Sequence, residues 1–168
     1  PEGLQDFGVF KLEGELKGKI ADVDVTQLKL KTDANTGFDL TGKIVGLPDI
    51  EKIKMDLNIE NIFTIADDLD GFVKKGLPPM LDTLGKVRYE GKFDGSLTTF
   101  DLIGKLSTDL GILESDIFMN FKEDYSSADY KGDVRLNSFH LGRLLGDSLQ
   151  IGKVTLNAEL KGEGFTLD

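Results

Sequence analysis

The sequence predicts an all-β protein, an antiparallel meander of about ten strands folded into a U-shaped trough or a partly open barrel. Apolar and polar residues alternate with a period of two over most of the chain. Residues typical of tight turns, mainly glycine, aspartate and asparagine, separate the alternating stretches. Ten strands at about 4.8 Å spacing give an apolar side roughly 45 Å across. The sheet must fold over that side or hold an apolar ligand on it, because an exposed surface of this size would aggregate.

One strand sequence occurs three times. Leu84 to Gly95 reads LGKVRYEGKFDG, and Ile151 to Gly162 reads IGKVTLNAELKG, with identical glycine, lysine and valine residues near the start and the same final glycine. Phe10 to Gly18, reading FKLEGELKG, is a third copy that precedes Val87 to Gly95 by 77 residues. Each copy alternates as a strand and ends at a glycine where the chain can turn.

The repeated unit is longer than this strand. Asp56 to Ile62 aligns with Asp133 to Phe139 at the same offset of 77 residues. Such self-similarity is typical of a supersecondary unit that stacks on its neighbours. We therefore expect a single repetitive β domain over residues 1–168, with unit 1 at about 8–85, unit 2 at about 86–150 and the start of unit 3 at 151–168, as a fragment of a longer chain.

Unit 1 is predicted to contain four strands. The first runs over about 9–20, and the second, 22–32, reverses its apolar phase, which indicates a β-bulge near Thr26 or Gln27. The third covers 38–46, and the fourth presents Ile53, Met55, Leu57 and Ile59 on one side.

A helix is predicted to follow at about 62–75. Ile62, Ile65 and Leu69 recur at helical spacing, and Asn61 is placed as the N-cap. Either this helix plugs one end of the β-structure, or it serves as a mobile gate or a docking element for a partner.

Unit 2 repeats the plan. The segment 139–146 is expected to replace the long helix by about one helical turn, and a further strand begins unit 3. The predicted strands lie at about 86–97, 99–107, 111–122, 128–138 and 152–162.

Composition excludes several classes of protein. The formal net charge is −10, and the lysines are scattered singly, so the basic stripe that a nucleic-acid-binding protein needs is absent. The chain has no cysteine, which removes disulfides and thiolate chemistry.

Nothing in the sequence indicates an enzyme, a metal site or a cofactor. His140 is the only histidine, and no nucleophile motif is present. Asp67 to Gly71 resembles the start of a calcium loop but lacks the later ligands. Pairs of carboxylates such as Glu13 and Glu15 are expected on the solvent side of strands, where they favour solubility and oppose edge-to-edge association.

The apolar face is the best candidate for a functional surface, either as an open groove lined for lipid or as an ordinary closed core. Strands of six to eight residues are about 20–25 Å long, which exceeds the roughly 15 Å of hydrocarbon in one bilayer leaflet. The candidate residues are Phe10, Leu12, Leu16, Phe38, Leu40, Ile44, Ile53, Met55, Leu57, Ile59, Val87, Tyr89, Phe93, Leu97, Ile117, Met119, Phe121, Tyr130, Val134, Leu136, Val154, Leu156 and Leu160.

Four stretches together resemble the repetitive region of TamB-like proteins, in the style of the Bacteroidetes branch of the wider AsmA-like group. They are Leu84 to Gly95, the segment STDLG at 107–111, the segment FHLGRLLG at 139–146, and Leu156 to Leu167. The resemblance covers nearly the whole chain and concerns the sequence pattern of the repeat.

The resemblance implies a trough-shaped fold called a β-taco, with an apolar concave face. It also implies a large periplasmic protein tethered to the inner membrane through a segment absent here. Such proteins transport phospholipid between the inner and outer membranes, assist outer-membrane protein assembly, and work with a barrel partner of the insertase type, which we expect to bind outside this fragment. The expected partners are therefore phospholipid or acyl chains, with no nucleic acid. Self-association through the edge strands is also expected.

Overall fold

The computed structural model describes residues 9–33, 35–65, 79–122, 127–146 and 151–164. In these ranges nine strands form one antiparallel sheet, in which neighbours in sequence are also neighbours in space. The strands are β1 (Phe10–Lys19), β2 (Asp22–Thr32), β3 (Gly37–Val45), β4 (Lys54–Ile65), β5 (Lys86–Gly95), β6 (Thr99–Thr108), β7 (Gly111–Phe121), β8 (Ala128–His140) and β9 (Lys153–Glu163).

The sheet is an open meander. β1 pairs only with β2, and β9 pairs only with β8, so the described sheet does not close into a barrel. The predicted all-β class and antiparallel meander are confirmed, and the open sheet fits the predicted trough.

The bulge predicted in β2 is confirmed. Val25 pairs with Gly42 and Leu28 with Leu40, so the pairing register shifts across the two residues between them. Because side chains alternate between the faces of a strand, this extra residue returns both apolar halves of β2 to the same face.

The predicted helix at 62–75 is wrong at its start. Asn61 to Ile65 belong to β4, where Ile62 pairs with Tyr89 and Thr64 with Val87. The sequence here is rich in β-branched and aromatic residues, which favour a strand, and pairing with β5 decides the outcome over the helical spacing. Residues 66–75 of that prediction lie outside the described residues.

The bulge that makes this continuation possible occurs twice. In β4, Glu60 and Asn61 together oppose the single residue Glu90, and in β8, Asn137 and Ser138 together oppose Thr155. The two bulges are 77 residues apart, the offset at which the sequence repeats. Each bulge places the apolar side chains that follow it on the same face as the apolar side chains that precede it.

The two long sides of the sheet differ. The side where odd-numbered strands end is called the turn rim, and it carries the hairpin turns β1–β2, β3–β4 and β5–β6. The β3–β4 turn contains a single 3-10 turn, Ile50–Lys52. The opposite side is called the capped rim, because a 3-10 helix (Pro79–Leu84) and a short helix α1 (Leu141–Leu144) lie there in contact with each other. The position of α1 confirms the predicted helical turn within 139–146.

The main buried cluster of the described residues lies under this cap. It consists of Leu84, Val87, Leu110, Leu136 and Phe139, with Leu144 of α1 packed against it. The cluster connects strands β5 to β8 with both helices. It therefore closes one side of the apolar face over the second half of the sheet.

Candidate functional site

Four rows of paired residues run across the whole sheet on its apolar face, here called the groove face. Residues directly opposite each other in an antiparallel pair share a face, so the pairing register identifies each row. The rows start on β1 at Leu12, Gly14, Leu16 and Gly18, and they end on β9 at Leu156, Ala158, Leu160 and Gly162. The first row, for example, contains Leu12, Leu30, Phe38, Ile62, Tyr89, Leu106, Leu113, Leu136 and Leu156.

None of the 36 positions in these rows holds a charged residue. Eight strand spacings of about 4.8 Å give rows roughly 38 Å long, and three steps of two residues give a strip roughly 20 Å wide. The footprint of the four rows is therefore about 760 Å². The groove face is thus a continuous apolar strip.

Most of the predicted residues occupy this strip. Those found in the four rows are Leu12, Leu16, Phe38, Leu40, Ile44, Met55, Leu57, Ile59, Tyr89, Phe93, Ile117, Met119, Tyr130, Val134, Leu136, Leu156 and Leu160.

The other six predicted residues lie beyond the rows. Phe10, Val87, Phe121 and Val154 occupy strand positions one step further along the same face. Ile53 precedes β4, and Leu97 lies in the β5–β6 turn. Both therefore belong to the turn rim.

The sequence reasoning missed ten apolar members of the strip. They are Val23, Val25, Leu28, Leu30, Ile62, Phe100, Leu102, Leu106, Leu113 and Ala158. The alternation of apolar and polar residues in β6 could have identified Phe100, Leu102 and Leu106 as members of the strip. The β2 residues could have been found by reading the apolar alternation separately on each side of the bulge.

The strip stays accessible where it reaches the edge strands. Leu12 and Leu16 on β1 are more than half exposed, and Leu156 and Leu160 on β9 are more than a third exposed. Ile59 and Tyr89, at the middle of the sheet, are buried. The strip is therefore more exposed on its two edge strands than at the middle of the described sheet.

Tyr89 places a hydroxyl in the middle of the strip. Its ring crosses Gly104 on the neighbouring strand, where a Cβ atom would collide with the ring and the hydroxyl oxygen. The hydroxyl donates a long hydrogen bond of 3.5 Å to the carbonyl oxygen of Lys92. Burial raises the pKa of Tyr89 to about 12, so the side chain is neutral at physiological pH.

Three phenylalanines line the groove face near the turn rim. The ring centroids of Phe93 and Phe100 are 4.9 Å apart in a stacked arrangement, and those of Phe100 and Phe121 are 6.1 Å apart. Offset aromatic contacts at these distances add to the free energy gained from burial. The strip therefore ends at the turn rim in an aromatic wall contributed by β5, β6 and β7.

Ion pairs between neighbouring strands cover the opposite face, called the outer face. Lys29 Nζ lies 2.8 Å from Asp39 Oδ2, and Lys122 Nζ lies 2.9 Å from Asp129 Oδ2. The hydrogen bond that Lys122 donates lowers the pKa of Asp129, and the one that Lys29 donates to Asp39 raises the pKa of Lys29. All four groups are solvated, so they contribute to solubility and register more than to stability.

A concavity of about 320 Å³ opens on the outer face between β1 and β4. Four of its five charged lining residues form ion pairs, Lys11 with Glu13 at 2.8 Å and Lys29 with Asp39, and the fifth is Lys31. Neither pair is buried, and the arrangement brings no nucleophile to a base.

Within the described residues no group of three potential metal ligands comes together. The calcium-loop resemblance at Asp67 to Gly71 falls outside them. His140 lies at the start of α1, and its buried Nδ1 atom has no hydrogen-bond partner in the described structure. In that same part of the chain, no helix has the length and apolar character needed to cross a membrane.

No family model, characterised protein or solved structure shows a significant match to this chain.

Proposed function

We propose that this chain is a non-enzymatic segment of an envelope-spanning, TamB-like periplasmic protein tethered to the inner membrane. Its groove face holds acyl chains of phospholipid in transit between the inner and outer membranes, or supports outer-membrane protein assembly, with an insertase-type barrel partner contacted elsewhere in the protein. The resemblance in repeat texture supports the family, and the groove face supports the ligand.

The observation that carries the proposal is the continuity of the four uncharged rows from β1 to β9. A strip of about 38 by 20 Å is longer than the roughly 15 Å of hydrocarbon in one leaflet, so two extended acyl chains fit end to end. Conduction also requires that the strip remain open where it reaches each edge strand. The exposed leucines of β1 and β9 meet this requirement.

Native mass spectrometry of the protein purified from bacteria, with lipid extraction, tests the proposal. Leu57 and Phe93 pair directly on the groove face, while Asn58 and Lys92 pair directly on the outer face of the same two strands. We expect Leu57→Asp and Phe93→Asp to lose copurifying phospholipid, because a carboxylate in the strip must be desolvated by bound acyl chains. The matched controls Asn58→Asp and Lys92→Asp should retain it.

Two results would contradict the lipid groove. One is a lipid-free mass for the unaltered protein that takes up no lipophilic dye. The other is equal lipid retention in the groove-face and outer-face variants. Circular dichroism of each variant separates loss of binding from loss of fold.

The alternative is a closed β scaffold that acts as a protein-interaction module in the envelope. The buried cluster under the cap favours it, since Leu110 and Phe139 are as protected there as in an ordinary core. Under this alternative Leu57→Asp unfolds the protein instead of only removing bound lipid, because a dry core does not tolerate an unpaired charge.

A further inference from the structure

The edge strand β9 leaves one of its two hydrogen-bonding edges without a partner strand in the described sheet. It pairs with β8 on one side, and no described strand lies on its other side. Eight of its eleven residues are exposed. β9 contains no proline, and the bulge at this edge of the sheet lies in β8, so two common obstacles to further pairing are missing from β9 itself. Its free edge can therefore accept another strand.

The sequence of β9 is complementary to itself when two copies pair antiparallel over the whole strand. β9 has eleven residues, Lys153–Glu163, so full overlap places Ala158 opposite its own copy. Even-numbered residues then lie opposite even-numbered residues, which keeps the apolar side chains of both copies on one face. On that face Leu156 lies opposite Leu160, and both are more than a third exposed in the single chain.

The charged side chains of β9 favour the same register. Lys153 lies opposite Glu163, and Glu159 lies opposite Asn157, each pair occurring twice because the arrangement is two-fold symmetric. β9 carries two lysines and two glutamates, so this edge is neutral although the chain has a net charge of −10. Full overlap thus places no like charges directly opposite each other.

The two neighbouring registers that also match the faces are worse. A shift of two residues in one direction brings Lys153 opposite Lys161, and a shift in the other direction brings Glu159 opposite itself, which destabilises the pairing. Within the described residues Lys153, Glu159 and Lys161 form no ion pair, and Glu163 has only a 3.8 Å contact with Lys122. The charges of β9 are therefore available to a partner strand.

The other edge strand, β1, is not self-complementary. It has ten residues, Phe10–Lys19, so full overlap with its own copy places apolar positions opposite polar ones. A shift of one residue restores the faces, but it brings Glu13 opposite Glu15 in one direction and Glu15 opposite itself in the other. In addition, Lys11 and Lys17 already form ion pairs with these two glutamates along the strand, at 2.8 and 2.9 Å.

We propose that two copies of this chain form a two-fold symmetric dimer through antiparallel pairing of β9 with β9. The pairing doubles the nine-stranded sheet and keeps both groove faces on the same side. The row through Ala158 continues into its own copy, and the rows through Leu156 and Leu160 continue into each other. The dimer lengthens the apolar strip, and the inference does not depend on which ligand the strip binds.

The absence of cysteine from the chain allows a direct test by disulfide formation. Ala158→Cys should form a disulfide-linked dimer under mild oxidation, because directly opposite Cα atoms are about 4.5–5.5 Å apart, within the reach of a disulfide. Lys161→Cys is the control on the same strand, since an offset of six residues separates its two Cα atoms by about 20 Å. Leu16→Cys is the control on β1. Neither control should form the linked dimer at a comparable rate.

Sedimentation equilibrium measures the association itself and tests the register. The unaltered protein should show a monomer–dimer equilibrium. Lys153→Glu should raise the Kd of the dimer on the order of tenfold, because two pairs of like charges replace two pairs of opposite charges. The charge exchange Lys153→Glu, Glu163→Lys should restore the Kd to within about threefold, whereas Lys11→Glu on β1 should leave it unchanged.

The inference is overturned if the unaltered protein is monomeric at every concentration, or if either control cysteine forms the linked dimer as fast as Ala158→Cys. Failure of the charge exchange to restore association would exclude the full-overlap register. Oligomers larger than a dimer would also contradict it, because β1 and β9 run in the same direction and their pairing between copies would be parallel and open-ended. A monomeric protein that copurifies with lipid would remove the dimer alone and leave the groove proposal standing.

Discussion

Replacing Leu110 by alanine tests the role of the cap directly. Leu110 lies in the β6–β7 turn and is almost completely buried among Leu84, Val87 and Phe139. Around it, the backbone N–H of His140 donates to the Leu110 carbonyl oxygen at 2.7 Å, and the N–H of Asp109 donates to the Leu84 carbonyl oxygen at 3.0 Å. The turn is therefore held in place, and the site cannot collapse easily to fill the lost volume.

The expected cost follows from this environment. A leucine-to-alanine change at a buried site loses the transfer free energy of three carbon atoms and leaves a cavity, which together cost about 2–5 kcal/mol. In a chain of this size, each kcal/mol lowers the melting temperature by roughly 2–4 °C. A loss of about 3 kcal/mol thus predicts a decrease of roughly 6–12 °C.

Thermal and urea unfolding followed by circular dichroism measure this loss. Leu97→Ala is the matched control, since Leu97 is also a leucine in a hairpin turn but on the opposite rim and largely exposed. The control should change the free energy of unfolding by less than about 1 kcal/mol. Equal effects of the two changes would refute the description of the cap as the main buried cluster.

Two further predictions concern titration and surface charge. The pKa of Tyr89 rises from 10.0 to about 12 on folding, so the stability contributed by the neutral side chain is fully present below pH 10.0 and is lost as the pH rises through 12. Tyr89→Phe should remove this loss from the pH dependence of the urea midpoint, and an unchanged pH dependence would contradict the burial of the hydroxyl. Asp94 lies opposite Asp56 and Asp101 on the outer face, and like charges so placed cost about 0.2–1 kcal/mol per pair. Asp94→Lys should therefore raise the melting temperature at low salt and lose most of that gain in 1 M salt; a gain independent of salt would exclude the electrostatic cause.

Much of this sheet could be predicted from local pattern. Alternation located the strands because a half-buried strand must present apolar residues at every second position. The phase reversal between Val25 and Leu28 located the bulge in β2, since only an extra residue returns both halves to one face.

Pairing between strands decided what local pattern could not. Ile62 and Ile65 fit helical spacing as well as an interrupted strand, and only the register with β5 distinguishes the two. The exposed turn residues are a second case. Leu97 and Leu110 are both turn leucines in the sequence, and they differ because Leu110 packs in the buried cluster under the cap, whereas Leu97 lies on the opposite rim.

The repeated bulges explain how the groove face stays continuous across the units. Without the extra residue in β4, the row that contains Tyr89 would join residues on the outer face of the first unit. The reason is that a register shift of one residue moves every side chain of a strand to the other face. The bulge in β8 does the same for β9, which takes the place relative to β8 that β5 takes relative to β4. Each unit thus delivers the next strand in a register that extends all four rows. Continuity of the apolar strip is therefore set within each unit, and adding further units of this kind would lengthen the strip without new pairing rules.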